Sequence, residues 1–190
     1  MATRRIEQTK ESRRLLLTAA AELFAEKGFR RTSFIDIAER AGISRGSIPW
    51  HFGNKLGLLE AVFEDQAEVA LTGFPASSEQ LFGAPLERVM EFIRMPATRL
   101  FITLIGEAME ADSPLRGHYA KLHAAMRQAV RAHLPVEALP PGADPDALAI
   151  VLVGTIIGID VQWRVAPETV DLDAVRATLS AVLPTDLQSR

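Results

Sequence analysis

The stretch that decides the fold reads FRRTSFIDIAERAGISRGSIPWHFGNKLGLL and covers residues 29–59. Its apolar residues recur with helical period on both sides of Gly42, which predicts two short helices joined by a tight turn. Ser33 and Asp36 have the spacing of a capping box at the start of the first helix. Ser44 is expected to cap the second helix.

The side chains around this turn are small enough for the two helices to cross closely. Ile37, Ala38 and Ile43 are small or medium apolar residues at the expected contact. A side chain larger than that of Ala38 would push the helices apart. Two helices that cross steeply over a short turn form a helix-turn-helix, whose second helix enters the DNA major groove. The stretch therefore predicts a DNA-binding head, with a plain helical hairpin as the alternative.

The second helix of this motif is expected to present polar and aromatic side chains outward. Arg45 can reach guanine or a phosphate, and the small residues beside it allow a close approach to a base edge. Hydroxyls and backbone N–H groups before the first helix, and a lysine after the motif, can bind phosphates. The expected DNA-binding residues are Thr32, Ser33, Ser44, Arg45, Gly46, Ser47, Trp50, His51 and Lys55.

This stretch resembles the N-terminal signature of the TetR (tetracycline-repressor) family of transcriptional regulators. The resemblance implies a bacterial repressor that binds operator DNA as a homodimer and is released by a small-molecule effector. A constitutive DNA-binding protein without an effector is the alternative within the same class. The matching features are Thr32-Ser33, Ile37-Ala38, Gly42, Ser44 to Ser47, His51-Phe52 and Lys55.

Pro49 departs from the TetR pattern, which usually has a phosphate-contacting tyrosine at this position. Proline has no N–H, and a proline inside an α-helix costs about 3 kcal/mol. If Ser44 caps the helix, Pro49 lies inside it, so the recognition helix is expected to start late, to kink or to run as a 3₁₀ turn. Trp50 and His51 would then carry more of the DNA contact.

Charge is divided unevenly along the chain. Residues 1–60 carry eleven basic and seven acidic side chains, a net charge of +4. The whole chain carries 21 basic and 24 acidic side chains, a net charge of −3, so the remainder carries −7. This division suits the N-terminal part to a polyanion such as DNA. A chance distribution of surface charge is the alternative.

The composition is that of an ordinary globular chain, with 190 residues of which 48% are hydrophobic and 24% charged. It contains no cysteine, which excludes disulfides and thiolate metal sites. The first ten residues lack the apolar run of a signal peptide. The apolar stretch between Asp146 and Asp160 is shorter than a bilayer span and is predicted to be a buried helix. A cytoplasmic protein without a membrane partner is therefore expected.

Helical periodicity continues beyond the motif and predicts an all-α fold of about nine helices. A three-helix helix-turn-helix head is expected over residues 1–54, and a helical bundle for effector binding and dimerisation over residues 55–190. Residues 72–85 are rich in Gly, Pro and Ser and are predicted to form a loop with at most a short helix. Outside the motif, helices are predicted over residues 9–25, 55–71, 86–94, 96–110, 114–134, 147–165 and 171–183.

The last two predicted helices each carry an apolar stripe. Burial within one chain would explain the stripes, and so would a four-helix interface between two copies. Gly154 and Gly158, one turn apart, would let two backbones approach. A dimer is also what two operator half-sites require, and the TetR resemblance implies the same pair of helices. The expected interface residues are Leu152, Gly154, Thr155, Gly158, Leu172, Val175 and Leu179.

The TetR resemblance also implies an effector pocket among the middle helices. Their methionines and aromatic residues suit an apolar, adaptable pocket, although most of them are expected to be plain core. For each polar candidate, ordinary packing or exposure is the alternative. The expected ligand-binding residues are Phe101, Thr103, Glu107, Tyr119, His123 and Met126.

An enzyme is the competing class of function. The sequence has no Gly-rich phosphate loop, no nucleophile elbow and no H-E-x-x-H motif, so no catalytic residue is expected. His118 and His123 are five positions apart, which is wrong for two ligands on one helix face. Neither a metal nor a cofactor is therefore expected.

Overall fold

The structure is a computed structural model, and it describes residues 2–75, 87–134 and 136–182. Within these ranges the chain forms nine α-helices and no β-strand, so the predicted all-α fold is confirmed. A 3₁₀ helix covers Val136–Ala138. The α-helices are α1 (Ala2–Lys27), α2 (Phe34–Ala41), α3 (Ser47–Phe52), α4 (Lys55–Gly73), α5 (Glu87–Arg94), α6 (Pro96–Met109), α7 (Leu115–His133), α8 (Pro145–Val165) and α9 (Leu172–Val182).

Most helix ends follow local signals in the sequence. The side chain of Asn54 accepts a hydrogen bond from the Gly57 N–H at 2.9 Å and caps the start of α4. Asp144 accepts one at 2.9 Å in the first turn of α8, where Pro145 occupies the first helical position. The largest difference is at α1, which begins at Ala2 and not at residue 9, because no glycine or proline interrupts residues 2–9.

Two sequence predictions fall partly or wholly outside the described residues. The predicted loop over residues 72–85 lies outside them from residue 76 onward. The predicted end of the last helix at Pro184 lies outside them as well.

The described residues form two compact units. The first combines the chain up to Val69 with Arg99–Tyr119, and the second combines Ala70–Thr98 with the chain from Ala120 onward. In this grouping most of α4, up to Val69, belongs to the first unit, whereas the sequence prediction placed a boundary after residue 54. The ring of Phe63 on α4 lies 4.9 Å from that of Phe101 and 4.8 Å from that of Tyr119.

In the first unit, α1 packs against both α2 and α3. The inner side chains of α1 recur at three- and four-residue spacing, as expected for one face of a helix. Each fully buried Leu, Ile or Phe stabilises the fold by roughly 1.5–3 kcal/mol relative to exposure. The most deeply buried side chains of these three helices are Leu16, Ala20, Phe24, Ile37 and Ile48.

In the second unit, a half-buried arginine joins α8 to the end of α5 and the start of α6. Arg164 donates to the Asp160 carboxylate at 2.6 Å, to the Ile93 carbonyl at 2.7 Å and to the Thr98 hydroxyl at 2.7 Å. It also donates to the Met95 carbonyl at 3.3 Å. We call this group the Arg164 clamp. Because Asp160 is only 4% exposed, its charge depends on this partner.

Candidate nucleic-acid interface

A complete capping box starts α2. The Ser33 N–H and hydroxyl donate to the Asp36 carboxylate at 2.6 and 2.7 Å, and the Asp36 N–H donates back to the Ser33 hydroxyl at 3.2 Å. Lys27 lies 3.1 Å from the other carboxylate oxygen. The Ser33 hydroxyl, followed by the Ser33 N–H and Lys27, holds the pKa of Asp36 down at about 2. The predicted cap is confirmed.

The turn between α2 and α3 depends on the glycine that the sequence places there. Gly42 has φ 65°, in the left-handed region that favours glycine, and ends α2. The Ile43 N–H then donates to the Ala38 carbonyl at 3.1 Å. Ile37 and Ile48, one on each helix, are fully buried. The predicted helix–turn–helix arrangement is therefore present.

The recognition helix α3 begins at Ser47, later than a cap at Ser44 would allow. The Ser47 N–H donates to the Ser44 carbonyl at 2.9 Å and the Ile48 N–H to the Arg45 carbonyl at 3.2 Å, which is the spacing of a 3₁₀ turn. Gly46 occupies the cap position without a side-chain hydrogen bond.

Because of this late start, Pro49 falls in the first turn of α3, where N–H groups have no helical partner in any case. The predicted late start is confirmed, and the predicted cap at Ser44 is wrong.

One face of α3 and of its flanking residues is exposed, and we call it the outer face of α3. Trp50 is 70% exposed, and Ile48 on the opposite side is fully buried. Ser44 is also exposed, just before this face, and Ser47 is half-buried. The outer face of α3 consists of Arg45, Gly46, Pro49, Trp50 and Gly53.

Two predicted DNA contacts, His51 and Lys55, have side chains that are engaged within the first unit. The His51 Nε2 lies 3.2 Å from the Ser12 hydroxyl of α1, and burial, with the charge of Arg13, lowers the His51 pKa. The Lys55 ammonium lies 4.3 Å from the ring centre of Phe29, and burial lowers its pKa. A lowered pKa favours the neutral form of the His51 imidazole, which can donate or accept a hydrogen bond but adds no positive charge.

Thr32 is a correction to the predicted site. Its side chain is only 2% exposed, and its hydroxyl donates to the Gly28 carbonyl at 2.8 Å. Its N–H donates to the Phe29 carbonyl at 3.2 Å. Both donors are therefore used at the carboxyl end of α1, and Thr32 has none left for a phosphate. Ser33 beside it is exposed, although Asp36 already uses its hydroxyl.

Ion pairs reduce the number of unpaired cations in the first unit. Arg40 lies 3.0 Å from Glu22 and 3.1 Å from Glu26. Lys10 and Arg45 are exposed, and neither has an ion-pair partner among the residues that the structure describes. Arg45 is thus the unpaired cation of the outer face of α3. The other ion pairs of this unit are Arg14–Glu11, Lys27–Asp36 and Arg30–Glu110.

A second exposed surface lies on α8, where the sequence predicted a buried helix. That prediction is wrong for the single chain, because α8 buries only Ala149, Val153, Ile156 and Asp160. Its other residues are mostly apolar, and the helix of 21 residues has the length and mean hydropathy, 1.7, of a membrane span. We call the opposite side the outer face of α8, and its residues are all exposed or half-buried. They are Ala147, Ile150, Val151, Gly154, Thr155, Gly158, Gln162 and Val165.

The predicted dimer residues fall into three groups by exposure. Leu172 is only 4% exposed and belongs to the core of its own chain, so its assignment to the interface is wrong. Gly154 and Thr155 are exposed on the outer face of α8. Ile150 and Val151, which the sequence prediction did not include, are 58% and 60% exposed on the same face. Predicted residues that are half-buried are Leu152, Gly158, Val175 and Leu179.

The predicted effector contacts also divide. In the first unit, Thr103 is exposed and its hydroxyl donates to the Ala25 carbonyl at 3.2 Å, which does not suit an interior pocket and corrects that prediction. Phe101 and Tyr119 are buried, and the Tyr119 hydroxyl donates to the Phe101 carbonyl at 2.6 Å. Glu107 is half-buried.

In the second unit, Met126 is buried and His123 half-buried. Burial, with the charge of Arg127, lowers the pKa of His123. Apart from Thr103, the predicted effector residues stay predictions.

Comparisons with known proteins match both the N-terminal and the C-terminal part of the chain to families of bacterial regulators. A family described as bacterial regulatory proteins, tetR family, matches residues 16–62. A second, described as the C-terminal part of BetI-type transcriptional repressors, matches residues 92–187. AcrR of Shigella flexneri, an HTH-type transcriptional regulator, is 26% identical over 198 residues, which cover 96% of this chain and 92% of AcrR.

Solved structures show the same fold. SmeT, the repressor of the multidrug efflux pump SmeDEF of Stenotrophomonas maltophilia, is 27% identical with a TM-score of 0.62, and the match covers 88% of this chain and 86% of SmeT. A complex of SmeT with triclosan matches with a TM-score of 0.67 and 23% identity, over 90% of this chain and 88% of that one. The names of AcrR and SmeT describe transcriptional regulators and not enzymes.

Proposed function

Because the chain belongs to the TetR family of bacterial regulatory proteins and is a DNA-binding transcriptional regulator, we propose that it represses transcription by docking the outer face of α3 in an operator. The observation that carries this proposal is that the unpaired Arg45 and Trp50 are both exposed on one face of a helix-turn-helix. We propose that repression ends when a small apolar molecule binds. The protein would act in the bacterial cytoplasm, where its DNA lies.

The proposed contacts follow the chemistry of each side chain. Arg45 donates to guanine or to a phosphate, and Gly46 allows the backbone to approach closely. Ser44 and Ser47 supply hydroxyls beside it. Trp50 is available without rearrangement because it is exposed. Ser33, His51 and Lys55 already contact other residues of the chain. Each of these side chains can bind a phosphate only if it contacts its present partner and the phosphate at the same time.

We further propose that two copies associate through the outer face of α8. Thr155 donates to the Val151 carbonyl at 2.9 Å and Gln162 to the Gly158 carbonyl at 3.2 Å, so their polar groups are satisfied within the helix. What remains for a partner is largely apolar, and large exposed apolar faces mark interfaces. A dimer also supplies the two heads that successive half-sites need, at a spacing of roughly 34 Å.

The effector proposal rests on relatives, since SmeT is known in complex with triclosan. A ligand changes DNA affinity only if it binds one state of the dimer more tightly than the other. We propose that the effector favours a spacing of the two α3 helices that does not fit one turn of DNA. Triclosan is the first probe to use.

Selection of bound fragments from genomic DNA tests the regulator directly. The expected product is a set of short duplexes with two related, inverted half-sites, each protected from cleavage when the protein is present. Triclosan or another apolar effector should release the protein from the selected duplex. A purified, helical protein that binds no duplex even in dilute salt would contradict the proposal, since phosphate contacts are strongest there.

A further inference from the structure

The outer face of α3 offers an unusual choice of side chains for reading DNA. Arg45 is its one cation, Trp50 carries a single indole N–H, and Pro49 has no donor at all. Gly46 and Gly53 add no side chain. The face therefore contains no amide that could pair with adenine and no carboxylate that could accept from cytosine.

The two rings of this face are adjacent and exposed. Pro49 is exposed in the first turn of α3, and Trp50 beside it is 70% exposed. The Trp50 ring packs edge-on against His51, with 4.5 Å between ring centres, and His51 in turn contacts α1 through Ser12. Trp50 therefore projects from a supported position and not from a mobile tail.

Apolar rings have one matching group in the major groove. The C5-methyl group of thymine is the apolar group that base pairs display there, whereas phosphates and the other base edges are polar. Neither ring carries a charge for a phosphate, and Pro49 cannot donate to one. Burying both rings against a phosphate would remove apolar surface from water without a partner of matching polarity.

Building on the proposed function, we propose that Pro49 and Trp50 form an apolar reader of thymine methyl groups, next to a guanine contact made by Arg45. The operator half-site then contains a thymine whose methyl group contributes directly to the binding free energy. Specificity comes from a charged contact and an apolar contact side by side.

Replacing thymine by deoxyuridine tests this reader, because only the methyl group is lost. In a selected operator, each thymine is exchanged in turn, symmetrically in both half-sites, and the Kd is measured at one salt concentration. Loss of one buried methyl costs roughly fourfold in affinity per half-site, so a paired exchange at the contacted position is expected to weaken binding roughly 15-fold. Exchanges at other thymines should leave Kd nearly unchanged.

Substitutions in the protein test whether the rings of Pro49 and Trp50 cause this change in Kd. In Trp50→Ala the ratio of Kd for the uridine and thymine operators should fall to about one, and Pro49→Ala should lower it partly. Arg45→Ala is the matched control, because it should weaken both operators equally and preserve the ratio. Trp163→Phe leaves Trp50 as the sole tryptophan, so its fluorescence should change on the thymine operator and less on the uridine operator.

The outcomes separate this inference from the proposed function. A protein that binds its operator but shows a ratio near one at every thymine overturns the methyl reader and assigns Trp50 to the DNA backbone instead. A protein that binds no duplex overturns the proposed function, and the reader with it. The thymine–uridine comparison uses the unaltered protein, so it decides the matter even if Trp50→Ala does not fold.

Discussion

The outer faces of α3 and α8 both expose apolar side chains, yet their surroundings differ. On α3, Trp50 shares its exposed face with the unpaired Arg45, in a segment with eleven basic and seven acidic residues. On α8, no charged residue interrupts the outer face from Ala147 to Val165. Exposed apolar surface alone does not identify a partner. A cation beside it favours a polyanion such as DNA, whereas an uninterrupted apolar face favours a second copy of the chain.

The two faces also differ in how their helices are held. Short-range signals hold the α2–α3 pair, since its capping box spans four residues and its turn depends on Gly42. The Arg164 clamp holds α8 through partners about 70 residues away in the chain. The recognition surface is therefore specified locally, and the proposed interface depends on tertiary contacts.

Breaking the Arg164 clamp is expected to have the largest effect. Arg164→Met leaves the buried Asp160 without its cation, which should lower the free energy of unfolding by about 3–5 kcal/mol. Denaturant unfolding followed by circular dichroism measures this change. The matched control is Arg164→Met combined with Asp160→Asn, which removes the unpaired charge and should recover part of the loss. Equal losses in the single and double variants would mean that packing, and not charge, explains the effect.

Removing the cation of the outer face of α3 should be the next largest effect. Arg45→Ala is expected to cost about 1–3 kcal/mol of DNA-binding free energy per half-site if Arg45 reads a guanine. The loss should be greatest for operators that carry that guanine, whereas a phosphate contact would give uniform weakening and a smaller salt dependence. Lys10→Ala is a control for the loss of another unpaired cation. Unchanged operator affinity at matched salt would remove Arg45 from the site.

Crowding the outer face of α8 tests the other half of the comparison. A Cβ at Gly158 would meet no atom within 4 Å in its own chain, so Gly158→Leu is expected to crowd mainly what covers this face. We expect association to weaken by about 1–3 kcal/mol, as in overpacked cores. Sedimentation at several concentrations measures the dissociation constant. Gly117→Leu on α7, equally open within the chain, should leave the dimer intact. A Gly158→Leu dimer of normal affinity would count against this interface.

The smallest effect is a titration at the capping box. The pKa of Asp36 lies at about 2, below its ordinary value of 3.8. A lowered carboxyl pKa means that its contribution to stability is complete above about pH 4 and is lost as pH falls toward 2. Carboxyl NMR should show the low midpoint. Ser33→Ala should raise the midpoint more than Lys27→Met, because the Ser33 hydroxyl is the largest cause. An ordinary midpoint in the unaltered protein would show that the box is not formed in solution.

Much of the head was predictable because its signals act over three or four residues. The capping box at Ser33 and the left-handed turn at Gly42 are present as predicted. The missing N–H of Pro49 correctly indicated a late start for α3. The signal that failed was Ser44, because the same serine can begin a 3₁₀ turn as readily as cap a helix.

By itself, the sequence determined the helical class and the helix-turn-helix, because hydrogen bonds between near neighbours decide both. It also determined the chemistry available to the recognition helix, because that chemistry follows from the residue types. Only the tertiary structure decided the fate of individual side chains that local pattern treats alike. Thr32 is buried beneath the end of α1, and Leu172 belongs to the core of its own chain. Arg164 is clamped by distant partners. Whether a side chain faces solvent or a neighbouring helix depends on contacts between residues far apart in the chain, and these have no counterpart in local periodicity.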